Sequence, residues 1–173
     1  SSYPSWYWLS GSSSPPGSPC AGLTVKTFDM KRSETLAPLS RDHHRSLILA
    51  QLLKKNAPAY KGLPETTSGK AEYALQQFRQ DIAGHFEKEE QVLKTLGGLH
   101  PQIDALAGQI KEEHALLHKL FSGLEAMEQP EEDLDALGRL LEQHIRTEER
   151  VLFPLLEQHC PETLKEQVHA LLH

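Results

Sequence analysis

The sequence predicts an all-α protein, an antiparallel up-and-down four-helix bundle with a short C-terminal fifth helix. Apolar residues recur at helical spacing in four long stretches after residue 40, and no stretch has the strict alternation of a β-strand. The connections between these stretches are mostly short, and short connections join neighbouring helices that run in opposite directions. Four amphipathic helices can then bury their apolar faces against one another.

The first two helices have recognisable ends. Ser40 is expected to cap the first helix, which runs to Asn56 and is stopped by Ala57 and Pro58. The second helix is predicted over residues 70–96. The two glycines that follow it are typical of a C-terminal cap.

The remaining helices are marked by prolines and charge. Pro101 begins the third helix, which is predicted over residues 101–127. The fourth is predicted over residues 131–158, because three acidic residues favour its N-terminus. Pro154 lies inside this fourth helix and is expected to kink it or end it early. A short fifth helix is predicted over residues 161–173.

Length and composition fit one soluble domain. The 173 residues suffice for a sizeable core, and 38% of them are hydrophobic and 24% charged. A formal net charge of -6 argues against nucleic acid as a partner. No apolar run reaches the roughly 18 to 20 residues of a membrane-spanning helix. The two cysteines, Cys20 and Cys160, form no disulfide framework, so we expect a reducing compartment and a cytoplasmic protein.

Residues 1–29 differ from the rest of the chain. They are rich in Ser, Pro and Gly and have neither helical nor strand periodicity, which is typical of a disordered leader. Met30 resembles a natural start, so the leader is interpreted as an extension. The folded domain is predicted over residues 30–173.

A nine-residue segment occurs twice. HFEKEEQVL, from His85 to Leu93, matches HIRTEERVL, from His144 to Leu152, at the His, both Glu, the Val and the Leu. In each copy the His and the first Glu are four residues apart, so both side chains leave one face of a helix. This spacing is compatible with a metal site.

Histidines from different helices are predicted to lie at one height. From His85, His114 and His144 to the nearest predicted helix end is 12 or 13 residues, or about 18 to 20 Å at 1.5 Å per residue. His43 fits the same level. Five imidazoles and two carboxylates exceed one tetrahedral site but suit two metals that share carboxylates and keep a position open. The candidate metal ligands are His43, His85, Glu89, His114, His118, His144 and Glu148.

Three choices stay open in this layer. His44 could replace its neighbour His43 as a ligand. His118 has no counterpart when the first and third helices are aligned, because Leu47 stands at that position. The second repeat offers a Glu at both i+4 and i+5 from its His. The second Glu of each repeat is interpreted as part of a solvated helix face rather than as a group that orients ligands.

This pattern resembles the hemerythrin-like family, also called the HHE cation-binding domain, over residues 36 to about 158. The resemblance implies two non-haem iron ions with an oxo or hydroxo bridge, held by the seven candidate ligands. Manganese or zinc would accept the same donors. The family's invertebrate oxygen carriers place an Asp five residues after the last ligand His, whereas this chain has Glu148 at four and Glu149 at five. The internal repeat favours Glu148.

The resemblance implies a metal-binding protein rather than an enzyme, with oxygen or a related small diatomic as its ligand for sensing, storage or scavenging. Two alternatives use the same centre. One is a di-iron enzyme that reduces peroxide or nitric oxide or repairs iron-sulfur clusters, and the other is an iron-responsive interaction domain that folds with its metal. No metalloprotease, phosphate-loop or serine-nucleophile motif favours another chemistry, and the sequence indicates no particular protein partner.

Overall fold

The structure is a computed structural model that describes residues 32–126, 128 and 130–173. All regular elements in this part of the chain are helical and none is a strand, which confirms the all-α prediction. From Ser33 onward the described residues form one compact unit. The expectation of a leader over residues 1–29 lies outside the described residues. Among the described residues, no helix has both the length and the apolar character of a membrane span.

The described elements follow the predicted order. The helices are α1 (Ala37–Leu53), α2 (Thr67–Gln77), α3 (Ala83–Thr95), α4 (Pro101–Ser122), α5 (Pro130–Thr147), α6 (Phe153–His159) and α7 (Glu162–Leu172). A first π-turn, Phe78–Ile82, joins α2 to α3, and a second π-turn, Glu148–Leu152, joins α5 to α6. Each of these joined pairs corresponds to one predicted long helix, and α7 corresponds to the predicted fifth. The antiparallel order of the four long helices stays a prediction.

Helix α1 begins earlier than predicted. Its N-cap is Leu36 and Pro38 lies in its first turn, so the prediction that Ser40 caps the helix is wrong. The Ser40 hydroxyl instead donates to Glu149 Oε1 at 2.7 Å. At its other end α1 stops at Leu53, short of the predicted end.

Pro154 lies in the first turn of α6, directly after the second π-turn. Proline has no N–H and cannot continue the ladder of i to i−4 hydrogen bonds. Just before it, the Phe153 N–H donates to the Glu148 carbonyl five residues back, which is the hydrogen bond of a π-turn. The chain remains helical to His159, so Pro154 does not end the helix early. The irregularity is confined to the π-turn.

Buried apolar side chains form two clusters that are separated along the helices by polar residues. The first apolar cluster includes Leu49, Leu52, Phe78, Phe86, Leu117, Phe121, Leu141 and Ile145. The second apolar cluster includes Leu39, Val92, Leu93, Ile103, Ile110, Leu152, Phe153 and Leu156. On each helical stretch a buried polar residue lies between members of the two clusters, namely His43, Glu89, His114 and Glu148. A polar layer therefore divides the core.

Helices α1 and α5 approach each other closely at Gly138. A Cβ atom at this position would lie 2.6 Å from the Ala50 carbonyl oxygen and 3.1 Å from Leu53 Cβ. Only a residue without a side chain permits this approach. The contact sets the distance between the helix that carries His43 and the helix that carries His144.

Candidate metal centre

The structure buries six of the seven predicted ligands in the polar layer. They are four histidines, none more than 4% exposed, and two glutamates, none more than 3% exposed. Their ligand atoms form two groups, and within each group the atoms lie within 4.8 Å of one another. The six residues are His43, His85, Glu89, His114, His144 and Glu148.

The first group combines residues of α1, α3 and the second π-turn. His85 and Glu89 are one turn apart on α3, which places His85 Nε2 2.8 Å from Glu89 Oε1. From α1, His43 Nε2 lies 2.9 Å from the same oxygen and 2.7 Å from Glu148 Oε2. Two imidazole nitrogens and two carboxylate oxygens therefore converge on one point.

The second group repeats this composition with α4 and α5. His144 is one turn before Glu148, and its Nε2 atom lies 2.8 Å from Glu148 Oε1. From α4, His114 Nε2 lies 3.1 Å from Glu89 Oε2 and 3.7 Å from Glu148 Oε1. This group also offers two nitrogens and two oxygens.

Glu89 and Glu148 belong to both groups. Each carboxylate turns one oxygen towards the first group and its other oxygen towards the second. This is the arrangement of a carboxylate that bridges two cations. Because each group supplies only four donor atoms, an octahedral metal would keep free positions for water or an added ligand.

Several atoms of the two groups lack hydrogen-bond partners. Among the buried side-chain atoms of the described residues, His85 Nε2, His144 Nε2 and both Glu148 carboxylate oxygens make no hydrogen bond. Each of them is nevertheless only 2.7 or 2.8 Å from another ligand atom. Burial of polar atoms without partners costs free energy, and a cation between them would remove that cost. The donor set therefore fits a pair of metal ions.

The imidazoles and carboxylates of the cluster shift one another's pKa values, and each shift favours the charged form. Burial by itself lowers the pKa of His114 and His144, but the surrounding carboxylates raise these pKa values to about 10 and about 9. Burial likewise raises the pKa of Glu89, yet His85 and the other imidazoles hold it well below its usual value. Without a metal, the raised pKa values place protons on His114 and His144 at neutral pH. A cation that binds there must displace protons from the Nε2 atoms.

A family comparison agrees with this geometry. The hemerythrin HHE cation-binding domain matches residues 35–156, a range that contains both groups of ligands. The chain belongs to the hemerythrin HHE cation-binding family. No curated protein and no solved structure matched the chain. Family membership confirms the resemblance seen in the sequence, and it assigns cation binding to this domain.

His118 lies outside both groups of the HHE domain. It is exposed on α4, whereas His114, Leu117 and Phe121 on the same helix are buried. The Phe86 ring stacks on His114 at a centroid distance of 4.1 Å and meets His118 edge-on at 5.8 Å. Helix α4 thus turns Leu117 inward beside His114, and the Phe86 ring contacts both His114 and His118. The structure therefore brings six of the seven candidate ligands together.

The structure also places the two members of each other open choice differently. Of the adjacent His43 and His44, the HHE domain brings His43 into the first group. Of the adjacent Glu148 and Glu149, it brings Glu148 into both groups. Glu149 instead lies 2.6 Å from the outer nitrogen of His43, Nδ1.

All four clustered histidines of the HHE domain have a carboxylate at their outer nitrogen. The Nδ1 pairs are His43 with Glu149 at 2.6 Å, His85 with Asp42 at 3.1 Å, His114 with Glu90 at 3.0 Å and His144 with Glu113 at 2.5 Å. An ionised carboxylate can only accept, so each Nδ1 donates. The interpretation of Glu90 and Glu149 as a solvated helix face is therefore wrong. Asp42 and Glu113 are not among the residues predicted from the sequence, although each directly precedes a candidate ligand histidine.

Proposed function

We propose that this HHE domain holds two iron ions and binds oxygen or a related small diatomic for sensing, storage or scavenging. The observation that carries the proposal is the division of the Glu89 and Glu148 oxygens between two groups of four ligands. The choice of iron rests on the family resemblance, since manganese or zinc would accept the same donors. In this proposal Glu89 and Glu148 would bridge the ions, His43 and His85 would hold the first, and His114 and His144 would hold the second.

The protein would control what reaches the ions. When bound, the iron pair supplies electrons and an open coordination position for the diatomic. Phe153 stacks on His43 at 5.3 Å, and Phe86 stacks on His114 at 4.1 Å. An apolar wall of this kind limits the entry of water to a metal site. Each of the two groups therefore has one imidazole backed by a phenyl ring.

Anaerobic reconstitution with ferrous iron, followed by air, tests the proposal. We expect two irons per chain and a new absorption spectrum in air that is reversed when oxygen is removed. The same titration on His118→Ala should still give two irons, whereas His114→Ala should not, because only His114 faces the second group. Fewer than two irons in the unaltered chain would refute the metal pair.

Other outcomes would redirect the function while keeping the metals. Rapid irreversible oxidation with turnover of added peroxide would favour the enzyme alternative. A large gain of helicity when iron is added would favour an interaction domain that folds with its metal. Circular dichroism before and after iron addition distinguishes these cases.

A further inference from the structure

The four carboxylates at the outer nitrogens, which we call the carboxylate ring, connect the helices in one direction. Asp42 on α1 accepts from His85 on α3, and Glu90 on α3 accepts from His114 on α4. The remaining two contacts close the circle. Glu113 on α4 accepts from His144 on α5, and Glu149 in the second π-turn accepts from His43 on α1. Each helical stretch therefore supplies a ligand and also holds the ligand of the next stretch.

We infer that Asp42, Glu90, Glu113 and Glu149 are positioning residues of the metal pair, and that each acts on the histidine of the next helix rather than on its own chain neighbours. This inference rests on the proposed metal pair. A hydrogen bond from Nδ1 fixes both the rotation of the imidazole and its tautomer, because Nε2 is then left to bind the metal. Carboxylates in this position also make the imidazole a more basic ligand.

Three of the four ring carboxylates make a second contact. Ser40 Oγ donates to Glu149 Oε1 at 2.7 Å, and an Arg45 guanidinium nitrogen donates to Asp42 Oδ1 at 2.9 Å. Gln109 Nε2 donates to Glu113 Oε1, also at 2.9 Å. The second contacts help to orient these three side chains towards their histidines.

The ring divides between the two metals in a way that chain position does not predict. Glu149 follows the bridging Glu148 and lies five residues after His144, a ligand of the second group. Its contact, however, is with His43, a ligand of the first group. Glu90 likewise follows the bridge Glu89 on α3, but its contact is with His114 of the second group. A variant at Glu149 should therefore disturb the first metal, and a variant at Glu90 should disturb the second.

Zinc provides a diamagnetic probe for the test. The full chain is labelled with ¹⁵N and loaded with zinc. Competition with a chelator measures its affinity for zinc, and NMR observes its imidazole nitrogens. We expect Glu149→Ala to weaken zinc binding roughly 10- to 100-fold, the usual effect of removing an outer partner of a ligand histidine. Glu149→Gln keeps an acceptor but not the charge, so its loss should be intermediate.

The control is Glu112, an exposed carboxylate next to Glu113 on α4. Glu112→Ala removes the same charge and should change zinc affinity by no more than about twofold, as exposed substitutions usually do. Glu113→Ala should behave as a ring variant. This pair separates a positional effect from a general loss of negative charge.

The NMR signals decide between positioning and nonspecific damage. In Glu149→Gln the Nδ1–H signal of His43 should move while that of His144 stays, although Glu149 and His144 are neighbours along one helix. The reverse pattern, or unchanged zinc affinity when Asp42, Glu90, Glu113 and Glu149 are each replaced by alanine, would overturn the inference and leave the metal pair intact. If the unaltered chain showed no shift of the Nε2 atoms on zinc addition, the proposed function itself would fail.

Discussion

The two repeats carry the same metal-binding groups on different backbones. The first repeat, His85–Leu93, lies entirely in α3, whereas the second, His144–Leu152, passes from α5 into the second π-turn. In both repeats, the His and the first Glu belong to the groups of candidate ligands, and the second Glu accepts from a histidine of another helix. The His and Glu residues of the repeat therefore have the same roles in an α-helix and in a π-turn.

The apolar residues of the two repeats differ in burial. Val92 of the first repeat is 1% exposed, but the equivalent Val151 of the second is 43% exposed. A π-turn inserts one residue into the helical period, so each buried position after Glu148 comes one residue later than after Glu89. The buried apolar positions are Val92, Leu93 and Leu96 after the first bridge, and Leu152, Phe153 and Leu156 after the second. The second π-turn thus accommodates Pro154 and shifts the buried apolar positions after Glu148 by one residue, while His144 and Glu148 keep their places in the cluster.

The largest expected effect concerns the bridges, and it tests whether the repeats are equivalent in chemistry. Glu89→Ala and Glu148→Ala should each reduce the metal count below two per chain, because both groups lose an oxygen. Native mass spectrometry of the metal-loaded chain measures the count. Glu112→Ala serves as the matched control and should keep two metals. If only one bridge variant lost metal, the equivalence of the repeats would be wrong.

Acid should release the metals. The pKa of His144, in the second repeat, and that of its partner His114 lie above the usual value of 6.5, at about 9 and about 10. Since protons already occupy these imidazoles at neutral pH, metal affinity should fall as pH decreases, by about tenfold per pH unit for each proton displaced. Chelator competition between pH 6 and pH 9 measures this slope. A flat profile, or two metals retained well below pH 5, would argue against histidine ligands.

Replacing a glycine by alanine ahead of each repeat should change the free energy of unfolding in opposite directions. Gly138→Ala, on α5 ahead of the second repeat, pushes a Cβ against the Ala50 carbonyl oxygen, and this overpacking should cost roughly 2 to 3 kcal/mol. Gly84→Ala, one residue before the first repeat, has open space around the new Cβ and should stabilise the helix by about 0.5 to 1 kcal/mol. Urea unfolding of the two variants compares the free energies. Equal effects would contradict the close contact of α1 and α5.

The two equivalent valines give the smallest and most selective effect. Val92→Ala should lower the free energy of unfolding by about 1.5 kcal/mol, because it removes two buried methyl groups. Val151→Ala should change it by no more than about 0.5 kcal/mol, because its side chain is largely exposed. The same urea unfolding curves provide the measurement. A larger cost at Val151 would place the second repeat in regular α-helical register and remove the π-turn.

Much of this arrangement follows from sequence periodicity and spacing. The helices follow from apolar periodicity, and the common height of His43, His85, His114 and His144 follows from counting residues to each helix end. The i and i+4 spacing of His and Glu places both on one face. These inferences use local geometry alone, which is why they need no knowledge of the packing.

The features that sequence analysis missed depend on contacts between helices. His118 has the same i+4 spacing from His114 as a ligand pair would, but the rotation of α4 is set by the burial of Leu117 and by Phe86 from α3. The residues that match between the two repeats do not indicate the second π-turn, and Pro154 is the only local sequence signal for it. Asp42 finds its partner His85 on another helix, so their hydrogen bond is not visible in either local segment.

A crystal structure of the metal-loaded chain, with anomalous difference maps at the metal absorption edge, tests the central claim most directly. We expect two peaks, one beside His43 and His85 and the other beside His114 and His144, with Glu89 and Glu148 each coordinating both metal ions. A single peak, or two peaks that share neither glutamate, would contradict it.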